Sequence, residues 1–270
     1  MVIGNRNFEI GTHTYVMGIL NVTPDSFSDG GNYNQMDKAL FRVEEMIRDG
    51  ADIIDVGGES TRPGYEQISE EEEIARVVPV IEQIKSRFDI PVSLDTYKAC
   101  VADAGIKAGV DLINDIWGLK GDERMAEVIA KTNVPCCLMH NRNETVYQDY
   151  IADVLADLEE SLEMAEKAGI SRENIVLDPG IGFAKSYEQN LLLLQQLEVM
   201  HSFGCPILLG TSRKSVIGLT LNVPAQERVT GTVATTVMGV MKGCSFVRVH
   251  DIRENAEAIK MTEAILYVGR

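Results

Sequence analysis

The sequence predicts an α/β fold in which eight strands, each followed by a helix, close into a (β/α)8 barrel with a short N-terminal hairpin and two long active-face loops. Three observations predict it. Eight short runs rich in Val, Ile and Leu recur along the 270 residues, each followed by apolar residues at helical spacing. The runs are continuous rather than alternating, as in a parallel sheet covered outside and filled within. Nearly every run ends on a polar residue: Asn21, Asp55, Asp95, Asn114 with Asp115, His140, Asp178, the stretch from Gly210 to Lys214, and Arg248 with His250. In a closed barrel all these ends lie on one face, where enzymes of this architecture carry their chemistry. An open doubly wound sheet is the alternative. No G-x-G-x-x-G follows the first strand, which argues against a dinucleotide fold.

Residues 7–20 read as a hairpin turning at Gly11-Thr12 and leading into a first strand at 16–21. A loop rich in Gly, Ser and Asp follows over 22–32. The first helix spaces Met36, Leu40, Val43 and Ile47 three or four apart and stops at Gly50. The second strand is 53–56, and a second long loop spans 57–68. Ser69 and Glu72 then form a capping-box pattern, with Glu70, Glu71 and Glu73 in the first turn, where the helix dipole favours acids. The third, fourth and fifth strands fall at 92–95, 112–115 and 135–140. A polar loop over 141–147 leads to a helix with Ile151, Leu155, Leu158 and Leu162 on one side. The sixth strand, 175–178, is broken by Pro179-Gly180, and the seventh spans 207–210. One helix begins near Ser212 and another runs over 225–241. The eighth strand is 246–250, and the last helix carries Ala256, Ile259, Ile265 and Leu266.

A length of 270 residues suits one such barrel, for which about 250 is typical. Two smaller domains are the alternative on length alone. No Pro- or Ser-rich linker and no shift in composition marks a boundary, so residues 1–270 read as one domain. The 25 basic and 41 acidic residues leave a net charge of −16, which argues against a nucleic-acid or anionic-membrane partner. An anionic substrate would therefore need cations concentrated locally. Cys100, Cys136, Cys137, Cys205 and Cys244 are odd in number, form no C-x-x-C, and mostly sit in apolar runs. There a free Cys behaves as a small buried hydrophobe, so disulfides, a zinc site and a thiol nucleophile are not expected. Residues 1–20 show no signal pattern, and no run approaches the ~18 apolar residues of a membrane span. The expected compartment is the cytoplasm.

The two long loops read either as turn-rich surface connections or as mobile lids over the mouth. The first carries Asn21, Asp25, Phe27, Asp29, Gly30 and Gly31; the second carries Thr61, Arg62 and Pro63. Glycines let a backbone approach an oxyanion, and Arg62 adds a fork of donors that matches phosphate. Asp95, Asn114 and Asp178 end three different strands. Singly, each can cap the helix that follows. Together they make a donor-and-acceptor set that suits the guanidine-like edge of a flat heterocycle better than a sugar. Residues 211–215, Thr-Ser-Arg-Lys-Ser, open a short helix after the seventh strand, a place where barrels often bind phosphate. Lys214 can bind phosphate there or donate to a ring carbonyl. Arg248 and His250 share one side of the eighth strand. A charge inside an apolar run is costly unless paired, so Arg248 reads as a site residue. With His250 and Arg62 it can gather a diphosphate, and its planar guanidinium can stack on an aromatic ring. Metal clusters of the HxxxH or DxD kind are absent from the sequence. Asn21 can give one oxygen to a Mg²⁺ otherwise held by water and a diphosphate. Trp117 and Phe183 read as core or pocket wall, and His13 and His201 as incidental.

Eight stretches extend the pattern along nearly the whole chain: MGILNVTPDSFSDGG at 17–31, GADIIDVGGESTRPG at 50–64, SLDTYK at 93–98, INDIWG at 113–118, LMHNR at 138–142, LDPGIGFAK at 177–185, LLGTSRKSVIG at 208–218 and VRVHD at 247–251. Through them the sequence resembles the bacterial dihydropteroate synthases. The resemblance implies a TIM barrel that condenses 6-hydroxymethyl-7,8-dihydropterin diphosphate with p-aminobenzoate, with Mg²⁺ as cofactor. It implies catalytic roles for Asp25, Arg62, Asp95, Asp178, Lys214 and Arg248. The pterin would lie among Asp95, Asn114, Ile116, Met139, Asp178, Phe183, Lys214 and Arg248. Asn21, Thr61, Arg62, Arg248 and His250 would serve the diphosphate, with Asn21 also on the metal. Phe27, Thr61, Arg62, Pro63, Lys214 and Ser215 would form the p-aminobenzoate pocket. A homodimer and inhibition by sulfonamides, as p-aminobenzoate mimics, are implied too.

Chemistry agrees with that assignment. Diphosphate leaves readily once its charge is neutralised, and the electron-rich dihydropterin spreads positive charge at the carbon it leaves, so an SN1-like step is expected. The aniline nitrogen is already a nucleophile and needs no strong protein base. A methyltetrahydrofolate–corrinoid methyltransferase is another pterin-binding barrel but has no diphosphate to bind, and Arg62, Lys214, Arg248 and His250 speak against it. A barrel that binds pterin without catalysis would show a lost loop residue or cation, and the sequence shows neither.

Overall fold

The computed structural model of the chain describes residues 1–22, 32–59 and 67–269, with the side chains of residues 32–34 outside the description. A two-stranded antiparallel hairpin, β1 (Val2–Ile3) and β2 (Arg6–Asn7), comes first. The hairpin therefore lies earlier than the 7–20 predicted, and Gly4 makes its turn at φ +61°. A Cβ there would stand 2.7 Å from Asp111 Oδ1. Eight parallel strands follow: β3 (Tyr15–Asn21), β4 (Ile53–Gly57), β5 (Val92–Asp95), β6 (Leu112–Asp115), β7 (Cys136–Met139), β8 (Ile175–Asp178), β9 (Leu208–Leu209) and β10 (Phe246–Val249). The helices are α1 (Asn32–Asp49), α2 (Glu70–Arg87), α3 (Ala99–Lys107), α4 (Met125–Thr132), α5 (Tyr150–Ala168), α6 (Tyr187–Gln195), α7 (Ser215–Leu221), α8 (Val229–Met241) and α9 (Ile252–Leu266).

Strand order runs β8-β7-β6-β5-β4-β3-β10-β9, and a parallel bridge from Leu177 to Ile207 joins the two ends. The sheet thus curls into the TIM barrel that the sequence predicts. The seventh barrel strand is shorter than the expected 207–210, because only Leu208 and Leu209 enter the ladder with β10. The helix expected near Ser212 begins at Ser215, after a turn in which Arg213 takes φ +58°. The helix expected over 225–241 is a 3-10 turn at Ala225–Glu227 followed by α8. Ser69 caps α2, accepting from the Glu72 N–H at 3.2 Å. Glu72 does not return the bond: its carboxylate pairs with Arg76. A complete capping box stands instead at Ser186 and Gln189, opening α6.

Two core layers follow from strand alternation. The outer layer joins strands to helices through Ile54, Val56, Leu94, Ile113, Leu138, Leu177, Val247 and their helical partners. The inner one holds Met17, Ile53, Leu112, Cys137, Val176, Leu208 and Phe246, plugged from below by Ile3 and Phe8 of the N-terminal segment. One step of two residues further along each strand, on the same inward side, stand Asp55, Asn114, Met139, Asp178 and Arg248. The barrel interior therefore changes from apolar floor to polar layer within a single pleat. Among the described residues no helix is long and apolar enough to cross a membrane.

Candidate active site

Arg248 occupies the centre of the polar layer. Its Nε donates to Asp55 Oδ2 at 2.6 Å and its Nη2 to Asp95 Oδ2 at 2.5 Å. Asp55 is also held by Ser93 Oγ at 2.6 Å and by Asn114 Nδ2 at 3.4 Å. Burial works against the guanidinium, but Asp55 and Asp95 outweigh it and raise its pKa. The same burial lifts Asp95 to about 7 against the pull of Arg248. Asp95 Oδ1 is buried and has no hydrogen-bond partner among the described residues.

Asp178 and Lys214 approach from the other side. Asp178 Oδ1 accepts from the Gly180 N–H at 2.6 Å. A Cβ on Gly210 would sit 3.3 Å from Asp178 Oδ2 and 3.8 Å from Lys214 Nζ, so the bare glycine leaves room for both groups. Burial raises the Asp178 pKa, opposed first by Lys214. Burial lowers Lys214 to about 8, opposed by Asp178. Lys214 Nζ donates to Ile181 O at 2.5 Å and lies 4.6 Å from the Phe183 ring centroid, a cation–π distance. Met139 and Ile116 are buried near the same strand ends, and Phe183 is half-buried.

His250 stands just beyond β10. Its Nδ1 is 2.9 Å from Ser212 Oγ, and the same hydroxyl accepts from the His250 N–H at 3.1 Å. Arg42 Nη2 donates to the His250 carbonyl at 2.8 Å, tying α1 to the mouth. Asn21, at the end of β3, is exposed, with its Oδ1 3.8 Å from where a Cβ on Gly57 would stand. Ser215 is exposed at the start of α7. Among the described residues no cluster of three or more His, Cys, Asp or Glu side chains could hold a metal.

The structure thus gathers Asp95, Asn114, Asp178, Lys214 and Arg248 around one buried layer, with Asn21 and His250 at its rim. Asp25, Phe27, Thr61, Arg62 and Pro63 lie outside the described residues. Two predicted strand ends turn elsewhere. Asp115 follows Asn114 and so points to the opposite face, where its carboxylate accepts from the Trp117 and Leu119 N–H groups at 2.8 and 2.7 Å. His140 bonds Asp157 Oδ2 at 2.9 Å and Lys185 Nζ at 2.7 Å, outside the Arg248 cluster. Sequence reasoning missed Ser93, Ser212 and Lys185. Burial pushes Lys185 down to about 7, opposed by Asp178. Its place at the end of the Gly-rich stretch LDPGIGFAK was the available signal.

Comparison with known proteins gives the family of the chain. The pterin-binding enzyme family model matches residues 17–250. A dihydropteroate synthase from Clostridium beijerinckii is 64% identical over 267 residues, covering 98% of this chain and 99% of its own. The crystal structure of a dihydropteroate synthase from Clostridium difficile in the presence of pteroic acid superposes with a TM-score of 0.94 at 52% identity, covering 96% of this chain and 99% of that one. A Yersinia pestis dihydropteroate synthase in complex with a sulfonamide drug superposes with a TM-score of 0.92 at 43% identity, covering 99% of both chains. The chain belongs to the dihydropteroate synthases, transferases of folate biosynthesis.

Proposed function

We propose that this site condenses 6-hydroxymethyl-7,8-dihydropterin diphosphate with p-aminobenzoate to give 7,8-dihydropteroate and diphosphate. The observation that carries the reading is the unpartnered, buried Asp95 Oδ1, one layer above an apolar floor and in company with Asn114, Asp178 and Lys214. A buried acceptor left so costs about 1–3 kcal/mol, which a ligand N–H relieves. A pterin edge offers a ring N–H beside an amino group, matched by Asp178, Asp95 and Asn114, while Lys214 donates to the ring carbonyl. Ile116, Met139 and Phe183 supply apolar walls. Pteroic acid, present with the Clostridium difficile relative, joins a pterin to p-aminobenzoate through one methylene and so contains both halves of the proposed product.

The step breaks the bond between the pterin methylene and the bridging oxygen, and the electron pair leaves with diphosphate. The aniline nitrogen then bonds to the methylene and loses one proton. Asp95 and Asp178 favour the cationic pterin in between, so the reading is SN1-like. Arg248 and His250 receive the diphosphate, with Thr61 and Arg62 from the second long loop. Asn21 offers an exposed amide oxygen, which suits a Mg²⁺ that keeps most of its water. Bound there, Mg²⁺ would supply positive charge to the departing diphosphate. Phe27, Thr61, Pro63, Lys214 and Ser215 form the p-aminobenzoate pocket in this reading, Asp25 and Arg62 act from the loops, and sulfonamides compete for that pocket.

The same reading makes residues 1–270 one pterin-binding barrel domain, cytoplasmic, with small-molecule substrates. Buried thiols at Cys136, Cys137, Cys205 and Cys244 suit a reducing compartment. It pairs the barrel with a second copy through α8 and α9, where Met238, Met241, Met261 and Ile265 are exposed. Diphosphate release by the purified chain tests the activity. Release that needs Mg²⁺ and both substrates is the expected result. Bound pterin with no release would leave a binding protein and overturn it.

A further inference from the structure

Lys185 lies outside the layer that meets substrate in this reading, yet its surroundings are unusually complete. Its Nζ donates to Gly180 O at 2.9 Å, to Phe183 O at 3.0 Å and to His140 Nδ1 at 2.7 Å. An ammonium has three protons, and here it has three acceptors. The acceptor role of Nδ1 follows from the other ring nitrogen. His140 Nε2 sits 2.9 Å from Asp157 Oδ2 and must carry the proton, because a carboxylate can only accept. Asp157 is anchored in turn by Arg142, whose Nε and Nη2 reach its two oxygens at 2.5 and 3.1 Å. The ammonium of Lys185 therefore ends a chain of groups, each of which fixes the next.

The segment this chain supports connects Asp178 to α6. It is tightly wound, with positive φ at Gly180 (70°), Gly182 (86°) and Ala184 (44°). Its backbone is satisfied largely by side chains. Lys185 takes the carbonyls of Gly180 and Phe183, Lys214 takes that of Ile181, and Tyr147 OH takes that of Ala184 at 2.8 Å. Asn190 Oδ1 receives the Gly182 N–H at 2.6 Å. The carbonyls of Gly180 and Phe183 converge on one point, which is unfavourable unless a donor with positive charge stands there. On its other side the same segment presents Ile181 O and the Phe183 ring to Lys214.

We propose that Lys185 is a positioning residue for the pterin subsite: its ammonium holds the 180–184 segment in the shape that sets Phe183 and the Ile181 carbonyl against Lys214. The assignment rests on the reading of that subsite given above. Lys185 touches no substrate; it acts through the segment it clamps. Removing the ammonium leaves two carbonyls and an imidazole lone pair facing one another, and the segment reshapes on its pocket side. The p-aminobenzoate pocket shares only Lys214 with this segment and takes Phe27, Thr61, Arg62, Pro63 and Ser215 from elsewhere in the chain, so it is affected less.

The test compares the native chain with Lys185→Met and Lys185→Arg. Calorimetry reads the affinity for 6-hydroxymethyl-7,8-dihydropterin diphosphate, steady-state kinetics reads the KM for p-aminobenzoate, and circular dichroism reads the fold. Folded Lys185→Met is expected to lose roughly tenfold or more in pterin affinity, as displacement of binding groups by a fraction of an ångström does. Its KM for p-aminobenzoate stays within about threefold, and Lys185→Arg, which keeps the charge, falls between it and the native chain. Native-like pterin affinity in either folded variant overturns the assignment. So does an equal loss for both substrates, which would mark general damage. Should Lys185→Met not fold, the Arg variant alone decides by the same split. A native chain that binds no pterin overturns the subsite reading itself, and this assignment with it.

Discussion

Burial brings two groups of the polar layer toward neutrality. Asp95 is lifted to about 7 by burial, and Lys214 is lowered to about 8 by the same cause. The folded pKa of Asp95 lies above its unfolded value, so ionising it opposes folding. That contribution is absent below about pH 4, and stability falls as pH rises from there through about 7. Pterin binding runs the other way, because a ligand N–H needs the carboxylate as acceptor and the ring carbonyl needs the ammonium as donor. Affinity for the pterin diphosphate is expected to peak near pH 7, between the ionisation of Asp95 and the loss of protons from Lys185 and Lys214, and to fall on both sides, by up to about tenfold per unit on the acid limb. Asp95→Asn should flatten that acid limb; calorimetric titrations across pH read it directly. Asp95, Asn114, Asp178, Lys214 and Arg248 were legible because strand ends in a barrel share a face. Ser93 and Ser212 were not, since their importance comes from a neighbour across the fold, Asp55 for one and His250 for the other. Asp115 misled because it neighbours Asn114 in sequence and faces away from it in space.

The connection from β8 to α6 illustrates how an element tolerates little change. Gly180 takes φ +70°, and a Cβ there would lie 1.9 Å from the His140 carbonyl oxygen. Gly180→Ala is expected to destabilise the chain by about 2–4 kcal/mol, through backbone strain and the clash together. Urea unfolding measures it; a loss below about 0.5 kcal/mol would contradict the geometry. Strand positions were readable at this scale because a fully buried strand is a short apolar run bounded by turn residues. Hairpin and caps were less so. Gly11-Thr12 suggested a hairpin turn; the chain does turn there, with Gly11 at φ +87°, but the hairpin itself is made earlier, at Gly4, and Ile3 and Phe8 go under the barrel floor. Ser69 caps its helix as expected, but Glu72 found a stronger partner in Arg76 four residues on.

Across the whole molecule, the proposed function puts chemistry and assembly on different surfaces. In that reading the strand ends meet substrate, and a second copy covers the packed helices α8 and α9, where Met238, Met241, Met261 and Ile265 are exposed. Sedimentation is expected to show a dimer in the native chain and a shift toward monomer in Met241→Lys. A monomeric native chain would contradict that face as an interface. Arg62→Ala is expected to reduce turnover by about tenfold or more and to weaken pterin diphosphate affinity by less, because Arg62 is read as closing with its loop over the reacting face as well as meeting the diphosphate. Equal losses in kcat and affinity would argue against that role.

The most direct test of the central claim, that the polar layer above the apolar floor is a pterin site, is a calorimetric titration of pterin diphosphate into the native chain and Asp178→Asn. The substitution replaces an acceptor-only carboxylate with a group that is half donor, so affinity should fall roughly tenfold to a hundredfold, the equivalent of about 1.5–3 kcal/mol. Binding by the native chain with that loss is the predicted result. Equal affinity in both proteins, or no binding by the native chain, would contradict it.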